Sequence, residues 1–144
     1  MTTQSKDLSL EIDRVVNASP ERTFQAWIDP HKLQKWFAPS EEMTVDASVD
    51  LRVGGKYRVA MGEFVVEGEY HEVVRPKRLV FTWQWTNEPA SNEMLVTIDF
   101  SEHPRGTRIR LEHTLLANED ARTQHQTGWD ELLARLETLF ADAD

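Results

Sequence analysis

The sequence predicts an α+β fold, in which one antiparallel sheet is covered by a single long helix at the C-terminus. Between residues 43 and 115, apolar and polar side chains alternate with a period of two, which is typical of half-buried strands. From about residue 118 to residue 141 the period becomes that of an amphipathic helix. No other predicted element is long enough to cover the apolar face of the sheet, so we expect this helix to lie there.

The first part of the chain predicts one strand and two short helices. Apolar and polar side chains alternate from Leu8 to Asp13, as in a half-buried strand. Ser19-Pro20 and Asp29-Pro30 each offer an N-cap followed by proline at the first helical position. We therefore expect two short helices, the second of which ends at Pro39. Residues 1 to 6 are polar, and we expect them to be disordered.

Six further strands are predicted in the middle of the chain, with turns at Gly54-Gly55, Gly62 and Pro76. One face of these strands is polar, and the other is rich in aromatic and aliphatic side chains. The residues predicted on the apolar face are Tyr57, Val59, Met61, Val66, Gly68, Tyr70, Val74, Leu79, Phe81, Trp83, Trp85, Met94, Val96, Ile98, Phe100, Ile109, Leu111, His113 and Leu115.

The C-terminal helix contains a glycine on its apolar side, although glycine in a helix interior costs roughly 1 kcal/mol relative to alanine. The apolar stripe consists of positions 125, 129, 132, 133, 136, 139 and 140. Gly128 lies three residues from His125 and four from Leu132, so it should face the sheet. Two interpretations stay open: a sheet side chain such as Trp83 packs against the glycine, or the space beside it is empty and available to a ligand.

Composition limits the possible partners and chemistry. At 144 residues the chain is expected to form one domain, residues 1 to 144, and a monomer or weak homodimer. The net charge of −9 disfavours nucleic acid and anionic membrane surfaces as partners. The absence of cysteine excludes disulfides, thiol catalysis and thiolate metal sites. No segment has the pattern of a signal peptide or the length of a membrane span, so we expect a cytoplasmic protein.

Several segments together resemble one protein family. In chain order they are NASPERTFQAWIDPHKLQKWFAP, DLRVGGKYRVAM, GEYHEVVRPKRLVFTW, VTIDF, GTRIRLEH and GWDELLARLETL. In order and spacing they resemble the START-like (SRPBCC, Bet v allergen-like) superfamily. Within it, they are similar to the branch named after the activator of the ATPase of heat-shock protein ninety. The resemblance covers about residues 8 to 140.

The resemblance implies a helix-grip fold: a strongly curved, seven-stranded antiparallel sheet around a long C-terminal helix, with two small helices closing one end. It also implies a cavity between helix and sheet that binds lipids, sterols, polyketides or other apolar molecules. Some branches catalyse cyclisation or hydrolysis there. The branch takes its name from a co-chaperone module, so a chaperone contact, with a stress-response role, is an alternative to ligand binding. The sequence shows no counterpart of the further chaperone-binding segment that a full activator carries. We therefore expect ligand binding as the function, in preference to a chaperone contact.

The predicted site is the cavity that the resemblance implies, because the inward aromatic and methionine side chains converge on it. Such walls supply affinity through burial, and sparse polar groups orient the ligand. The alternative is that these side chains simply fill the core. The candidate lining residues are Trp36, Tyr57, Met61, Tyr70, Phe81, Trp83, Trp85, Met94, His113, His125, Gly128, Trp129, Leu132 and Leu133.

Two histidines are candidates for chemistry in this cavity. His113 is expected on the inward face of the last strand, and His125 on the apolar side of the helix. Either could transfer protons near neutral pH, with Tyr70 as a further candidate, in a cyclase, hydratase or hydrolase. The alternative is that both are structural and hydrogen-bonded within the core. No histidine pair has the spacing of a zinc site, so we expect neither metal nor cofactor.

The remaining polar residues predict no second site. His31 and His103 are expected to be exposed, in a helix start and a turn. Three carboxylates crowd one strand and could share acid and base roles; they are Glu67, Glu69 and Glu72. Glu67 and Glu69 fall on the face opposite to Tyr70, so we expect a solvated outer face instead. Gly54-Gly55 lacks the spacing that phosphate binding requires, and no nucleophile motif is present. The sequence therefore predicts a protein that binds an apolar ligand, and leaves catalysis open.

Overall fold

The computed structural model describes residues 8–38, 43–86 and 91–142, except for the side chain at position 142. The expectations for residues 1 to 6 and for Pro39 lie outside these ranges. Within them the elements are β1 Ser9–Val16, α1 Pro20–Ile28, α2 Pro30–Trp36, β2 Val45–Val49, β3 Lys56–Met61, β4 Phe64–Val74, β5 Arg78–Trp85, β6 Met94–His103, β7 Gly106–Thr114 and α3 Glu119–Asp142.

The strands form one antiparallel sheet in the order β1-β7-β6-β5-β4-β3-β2. β1 and β2 lie at opposite edges, so the connection between them crosses from one edge to the other and contains α1 and α2. This arrangement confirms the predicted α+β class and the element order of a helix-grip fold. In the described part of the chain, no helix combines the length and apolar character needed to cross a membrane.

The helix starts form as their side chains predict. The Ser19 side chain accepts a hydrogen bond from the Arg22 amide, and the Asp29 carboxylate accepts one from the His31 amide. Each cap is followed by proline at the start of the helix, where no amide hydrogen is needed. The third helix begins in the same way, since the side chain of Asn118 accepts from the Ala121 amide at 2.8 Å.

The core lies between α3 and the apolar face of the sheet. Leu133 and Leu136 of α3 are completely buried, as are Ile98 of β6 and Ile109 of β7. The two short helices add a second set of aromatic contacts, in which Phe24 packs edge-on against Phe100 with ring centroids 5.5 Å apart. Burial of this apolar face supplies most of the favourable free energy of the fold.

Two predicted inward positions, Val74 and Leu115, are wrong. The pairing of β4 with β5 shifts between Tyr70 and Glu72, so the alternation of faces is inverted beyond that point. Val74 is therefore 47% exposed, and Val73 packs against the core instead. Leu115 follows the end of β7 with a φ of 67°, and its side chain is 44% exposed.

Gly68 of β4 permits a close crossing between strands. A Cβ at this position would meet the Thr82 carbonyl oxygen and would lie 2.5 Å from Cε2 of Tyr57. The Tyr57 hydroxyl reaches across to donate a hydrogen bond to the Thr82 carbonyl at 2.5 Å. The missing side chain is what lets the tyrosine pass over β4 and bind β5, so this glycine has a packing role.

Candidate functional site

A cavity of about 420 Å³ lies between the N-terminal half of α3 and the ends of β3, β4 and β5. Tryptophan rings and aliphatic side chains form most of its wall. None of the described residues that line it carries a formal charge when its histidine is neutral. The lining residues are Met61, Phe64, Trp83, Trp85, Ser91, Ala121, Gln124, His125, Gly128, Trp129 and Leu132.

Gly128 faces open space within this wall. A Cβ built on Gly128 would have no heavy atom within 4 Å, apart from its chain neighbours and the backbone of its own helix. The side chain of Trp83 therefore does not pack against this glycine, and the first of the two open interpretations is wrong. Trp129, the next residue, is buried and forms the adjoining wall of the cavity.

Trp129 is held in place by His113 of β7. The indole Nε1 donates a hydrogen bond to His113 Nδ1 at 3.0 Å. Because an indole nitrogen can only donate, His113 Nδ1 must be the acceptor and its proton must be on Nε2. That Nε2 lies 3.3 Å from the sulfur of Met94, which accepts a weak hydrogen bond. The predicted core histidine is thus satisfied on both ring nitrogens.

Trp85 is held by His125 in a second tryptophan–histidine hydrogen bond, in which the sheet supplies the donor and the helix supplies the acceptor. Here the tryptophan is on β5 and the histidine on α3, and Trp85 Nε1 donates to His125 Nε2 at 3.0 Å. The proton of His125 is therefore on Nδ1, which donates to the Ala121 carbonyl at 2.7 Å. Together the two pairs fasten α3 to the sheet at the cavity wall.

The two imidazole rings lie next to each other, with centroids 4.8 Å apart. Burial, with a smaller contribution from the charge of His125, lowers the pKa of His113 to about 3. Burial also lowers the pKa of His125, against the opposing effect of the Ala121 carbonyl. Both histidines are consequently neutral at physiological pH, as the tryptophan hydrogen bonds require.

The hydrogen bonds leave little capacity for acid–base chemistry. A neutral imidazole has one donor and one acceptor, and both are in use in His113 and in His125. Burial raises the pKa of the Tyr70 hydroxyl, which stays protonated at neutral pH. The geometry favours histidines that position tryptophans over histidines that transfer protons to a ligand.

The structure brings together only part of the predicted cavity wall. The predicted residues that do line the cavity are Met61, Trp83, Trp85, His125, Gly128, Trp129 and Leu132. The others lie elsewhere in the fold; they are Trp36, Tyr57, Tyr70, Phe81, Met94, His113 and Leu133. Each of these has neighbours that account for its burial.

Three of these others, Tyr57, Tyr70 and Phe81, line a neighbouring small pocket of about 20 Å³, which is large enough for about one water molecule. Trp36 is buried at the end of α2, and its Nε1 donates to the Ala26 carbonyl at 3.0 Å. Leu133 is completely buried in the core. His113 and Met94 bind each other and, through His113, hold Trp129. The sequence pattern correctly predicted that these side chains face inward, but an inward side chain does not have to border the cavity.

Four lining residues were missed by the sequence analysis: Phe64, Ser91, Ala121 and Gln124. Ala121 could have been found, because it lies one helical turn before His125 on the side that also carries Gly128. Phe64 could also have been found, because it lies two residues before Val66 and pairs with Met61, so alternation assigns it to the inward face. It is nevertheless 49% exposed, because β4 begins at the cavity rim.

Few polar groups reach the cavity. The Nε1 of Trp83 has no hydrogen-bond partner among the described residues, but it has almost no accessible surface and is therefore not exposed to the cavity. The Ser91 hydroxyl accepts from the Trp85 amide at 2.8 Å and donates to the Asn92 carbonyl at 3.2 Å, so it is already satisfied. Within the described ranges, no three histidine, aspartate or glutamate side chains are grouped closely enough to hold a metal.

The chain matches one protein family in sequence and is similar to several solved structures. A sequence model of the family described as activator of Hsp90 ATPase homolog 1-like protein matches residues 17–141. Protein CV1439 from Chromobacterium violaceum is similar in structure, with 27% identity and a TM-score of 0.82 over 92% of this chain and 96% of that chain. The AHSA1 protein SPO3351 from Silicibacter pomeroyi is 27% identical, with a TM-score of 0.78 over 93% and 98%.

A third similar structure is PFC0360w from Plasmodium falciparum, described as an HSP90 activator. It is 27% identical, with a TM-score of 0.73 over 92% of this chain and 96% of that chain. No curated protein sequence matches the chain.

Proposed function

Since the chain belongs to the family of activator of Hsp90 ATPase homolog 1-like proteins, we propose that it binds a small, uncharged, largely apolar molecule in the cavity beside Gly128. The observation that carries this proposal is the open volume of about 420 Å³ between helix and sheet. Pockets for small molecules typically measure about 300 to 1,000 Å³. The space beside Gly128 supports the same conclusion. Glycine destabilises a helix interior, and no neighbouring side chain needs the space that this glycine leaves. A ligand that occupies this space would account for the glycine.

The wall chemistry supports an uncharged ligand. None of the described lining residues carries a formal charge when His125 is neutral, and an unpaired charge buried among them would lose its hydration without compensation. The rings of Trp83, Trp85 and Trp129 favour a flat aromatic or polyketide-like molecule, which can stack on them, over a flexible lipid chain.

Two fluorescent probes test this proposal. N-phenylnaphthylamine is uncharged and anilinonaphthalene sulfonate is anionic, and both are flat aromatic molecules. We expect the uncharged probe to quench tryptophan emission with a dissociation constant in the micromolar range, and to bind about tenfold more tightly than the anionic probe. If neither probe binds, or if the anionic probe binds more tightly, the proposed ligand class is wrong.

A pair of helix variants locates the binding. Gly128→Leu places a side chain in the open volume, whereas Thr127→Leu adds the same side chain on the exposed side of α3. We expect Gly128→Leu to weaken binding of N-phenylnaphthylamine by at least about tenfold, because it occupies the ligand volume. Thr127→Leu should leave binding within about twofold, and circular dichroism should show both variants folded. Equal binding by the two variants would place the ligand elsewhere.

The family match also supports a second candidate, contact with a heat-shock protein of the ninety-kilodalton class. PFC0360w, which is described as an HSP90 activator, is matched over 96% of its chain. The similarity therefore extends over nearly the whole of that protein. The direct assay is the ATPase rate of the purified chaperone with and without this protein. Stimulation that saturates with concentration supports the contact, and an unchanged rate over the same range contradicts it.

A further inference from the structure

Four of the seven arginines and lysines that form no ion pair among the described residues lie in or beside one cleft; the other three, Lys56, Lys77 and Arg105, lie elsewhere. The chain carries a net charge of −9, and most arginines of the described part form ion pairs; these are Arg14, Arg52, Arg58, Arg75, Arg78, Arg108, Arg110 and Arg122. By contrast Arg22, Lys32 and Lys35 form no ion pair among the described residues, and all three are exposed. They lie around a single cleft.

This cleft lies between α1, α2 and the C-terminal end of α3 and has a volume of about 170 Å³. Its floor is apolar, being formed by Ala26, Leu139 and the buried ring of Phe140. The guanidinium carbon of Arg22 lies 5.5 Å from the centroid of that ring, close enough for a cation–π contact. None of the described residues that line the cleft is acidic.

A fourth positive charge is adjacent to the cleft. Arg135 of α3 donates from Nη2 to the Lys35 carbonyl at 3.2 Å, and its Nε is buried without a partner among the described residues. Two acidic side chains of α1 and α3 are engaged in other ion pairs. Glu21 binds Arg75 at 2.6 Å, and Glu137 binds Arg14 at 3.0 Å. Among the described residues, Arg22, Lys32, Lys35 and Arg135 therefore have no acidic ion-pair partner at the cleft.

The cleft is too small for a typical small-molecule ligand, but it can hold one side chain of a peptide. Its volume is below the roughly 300 Å³ at which small-molecule pockets begin, so it would hold little more than one apolar side chain. The flexible side chains of Arg22, Lys32 and Lys35 surround the apolar floor of the cleft. This arrangement is complementary to a peptide in which carboxylates flank one apolar side chain. Complementary charge of this kind steers association, and a buried apolar anchor supplies affinity.

We propose that this cleft docks an acidic peptide segment of a partner protein. One apolar side chain of the segment sits on Phe140 and Leu139, and neighbouring aspartate or glutamate side chains bind Arg22, Lys32 and Lys35. The site is separate from the cavity beside Gly128. Leu132 of the cavity and Leu139 of the cleft are seven residues apart on α3, or about 10 Å along the helix axis.

Fluorescence anisotropy with a labelled peptide tests the docking site. The probe has the sequence Asp-Asp-Glu-Leu-Glu-Asp, and a matched peptide has serine in place of leucine. We expect the leucine peptide to bind at about 50 mM salt and to lose about tenfold in affinity at 300 mM salt, because exposed charges are screened. The serine peptide should bind at least about fivefold more weakly, because it lacks the apolar anchor. Equal binding of the two peptides would overturn the proposal.

Two double variants with the same change in net charge provide the control. Lys32→Gln with Lys35→Gln removes charge at the cleft, and Lys56→Gln with Lys77→Gln removes it from exposed positions elsewhere. We expect the first to weaken peptide binding by roughly tenfold and the second by less than about twofold. Equal weakening would mean attraction by overall charge alone and would contradict a docking site. Displacement of the peptide by inorganic phosphate, beyond the effect of chloride at equal ionic strength, would assign the cleft to small anions instead.

Discussion

Gly128 and Gly68 are two glycines within regular elements that have opposite surroundings. Beside Gly128 there is open space, whereas a side chain on Gly68 would meet the Thr82 carbonyl and the ring of Tyr57. A glycine that makes room for a neighbour stabilises the packing, while a glycine that faces a void lowers helix stability. The sequence could not separate these cases, because both glycines lie on the apolar face of their element.

The two glycines should respond oppositely to alanine. Gly128→Ala is expected to raise the free energy of unfolding by about 0.5 to 1 kcal/mol, since it improves helix propensity without a steric conflict. Gly68→Ala is expected to lower it by roughly 2 kcal/mol or more, because the methyl group forces the Tyr57 ring away from Thr82. Urea unfolding followed by circular dichroism measures both. Destabilisation by Gly128→Ala would show that the space beside it is not open.

At the scale of elements, α3 is joined to the sheet by hydrogen bonds that cross the core in both directions. Trp129 of α3 donates to His113 of β7, and Trp85 of β5 donates to His125 of α3. Both bonds require a neutral imidazole, because a protonated ring has no acceptor for an indole N–H. The contact between the layers is therefore sensitive to acid.

His113 makes the stability of this layer contact depend on pH. Its pKa falls from 6.5 in the unfolded chain to about 3 in the fold, so below pH 6.5 only the unfolded chain takes up the proton. Stability is thus lost as the pH drops from 6.5 towards 3. At about 1.4 kcal/mol per pH unit, this histidine alone should cost about 2 kcal/mol between pH 7.5 and pH 5.0.

His113→Asn tests this expectation, because the asparagine carbonyl can replace Nδ1 as the acceptor but does not titrate. The variant should be less stable at pH 7.5, since the side chain is smaller, yet should lose about 2 kcal/mol less on going to pH 5.0 than the wild type. Urea midpoints at the two pH values give the comparison. His31→Asn, at an exposed position, serves as the control and should keep the wild-type difference. An unchanged difference in His113→Asn would rule out the assigned role.

The predictable part of each element was its periodicity and its start signal. Serine–proline and aspartate–proline pairs placed α1 and α2 correctly, because capping and proline act within one turn. Val74 failed because the shift in β4 near Tyr70 changes the face of every later residue, and no local signal marks it. Leu115 failed because a left-handed residue ended the strand one position early.

At the scale of the whole molecule, the five tryptophans of the chain form one connected cluster. Trp27 lies 4.7 Å from Trp36 and 5.9 Å from Trp129 between ring centroids. Trp83 lies 5.0 Å from Trp129 and 5.5 Å from Trp85. The cluster links α1, α2, α3 and β5, so loss of any one layer disturbs it. Sequence patterning predicted that these rings face inward, but which of them border a cavity depends on packing between distant elements.

This shared cluster predicts cooperative unfolding of one domain. Tryptophan emission and far-ultraviolet circular dichroism should give the same midpoint and the same slope in urea, since both report on a single transition. The measurement requires only the wild-type protein at a constant pH near 7.5. Two separate transitions would contradict the expectation that residues 1 to 144 form one domain.

The open space beside Gly128 also gives experimental access to the interior of the protein. The chain contains no cysteine, so a cysteine introduced at position 128 would be its single thiol. That thiol would stand at the cavity wall next to Trp129 and Leu132. Disulfide-forming fragments could be captured there one at a time and identified by their mass. The fragments that are retained would then describe the shape and polarity that this cavity selects, before any natural ligand is known.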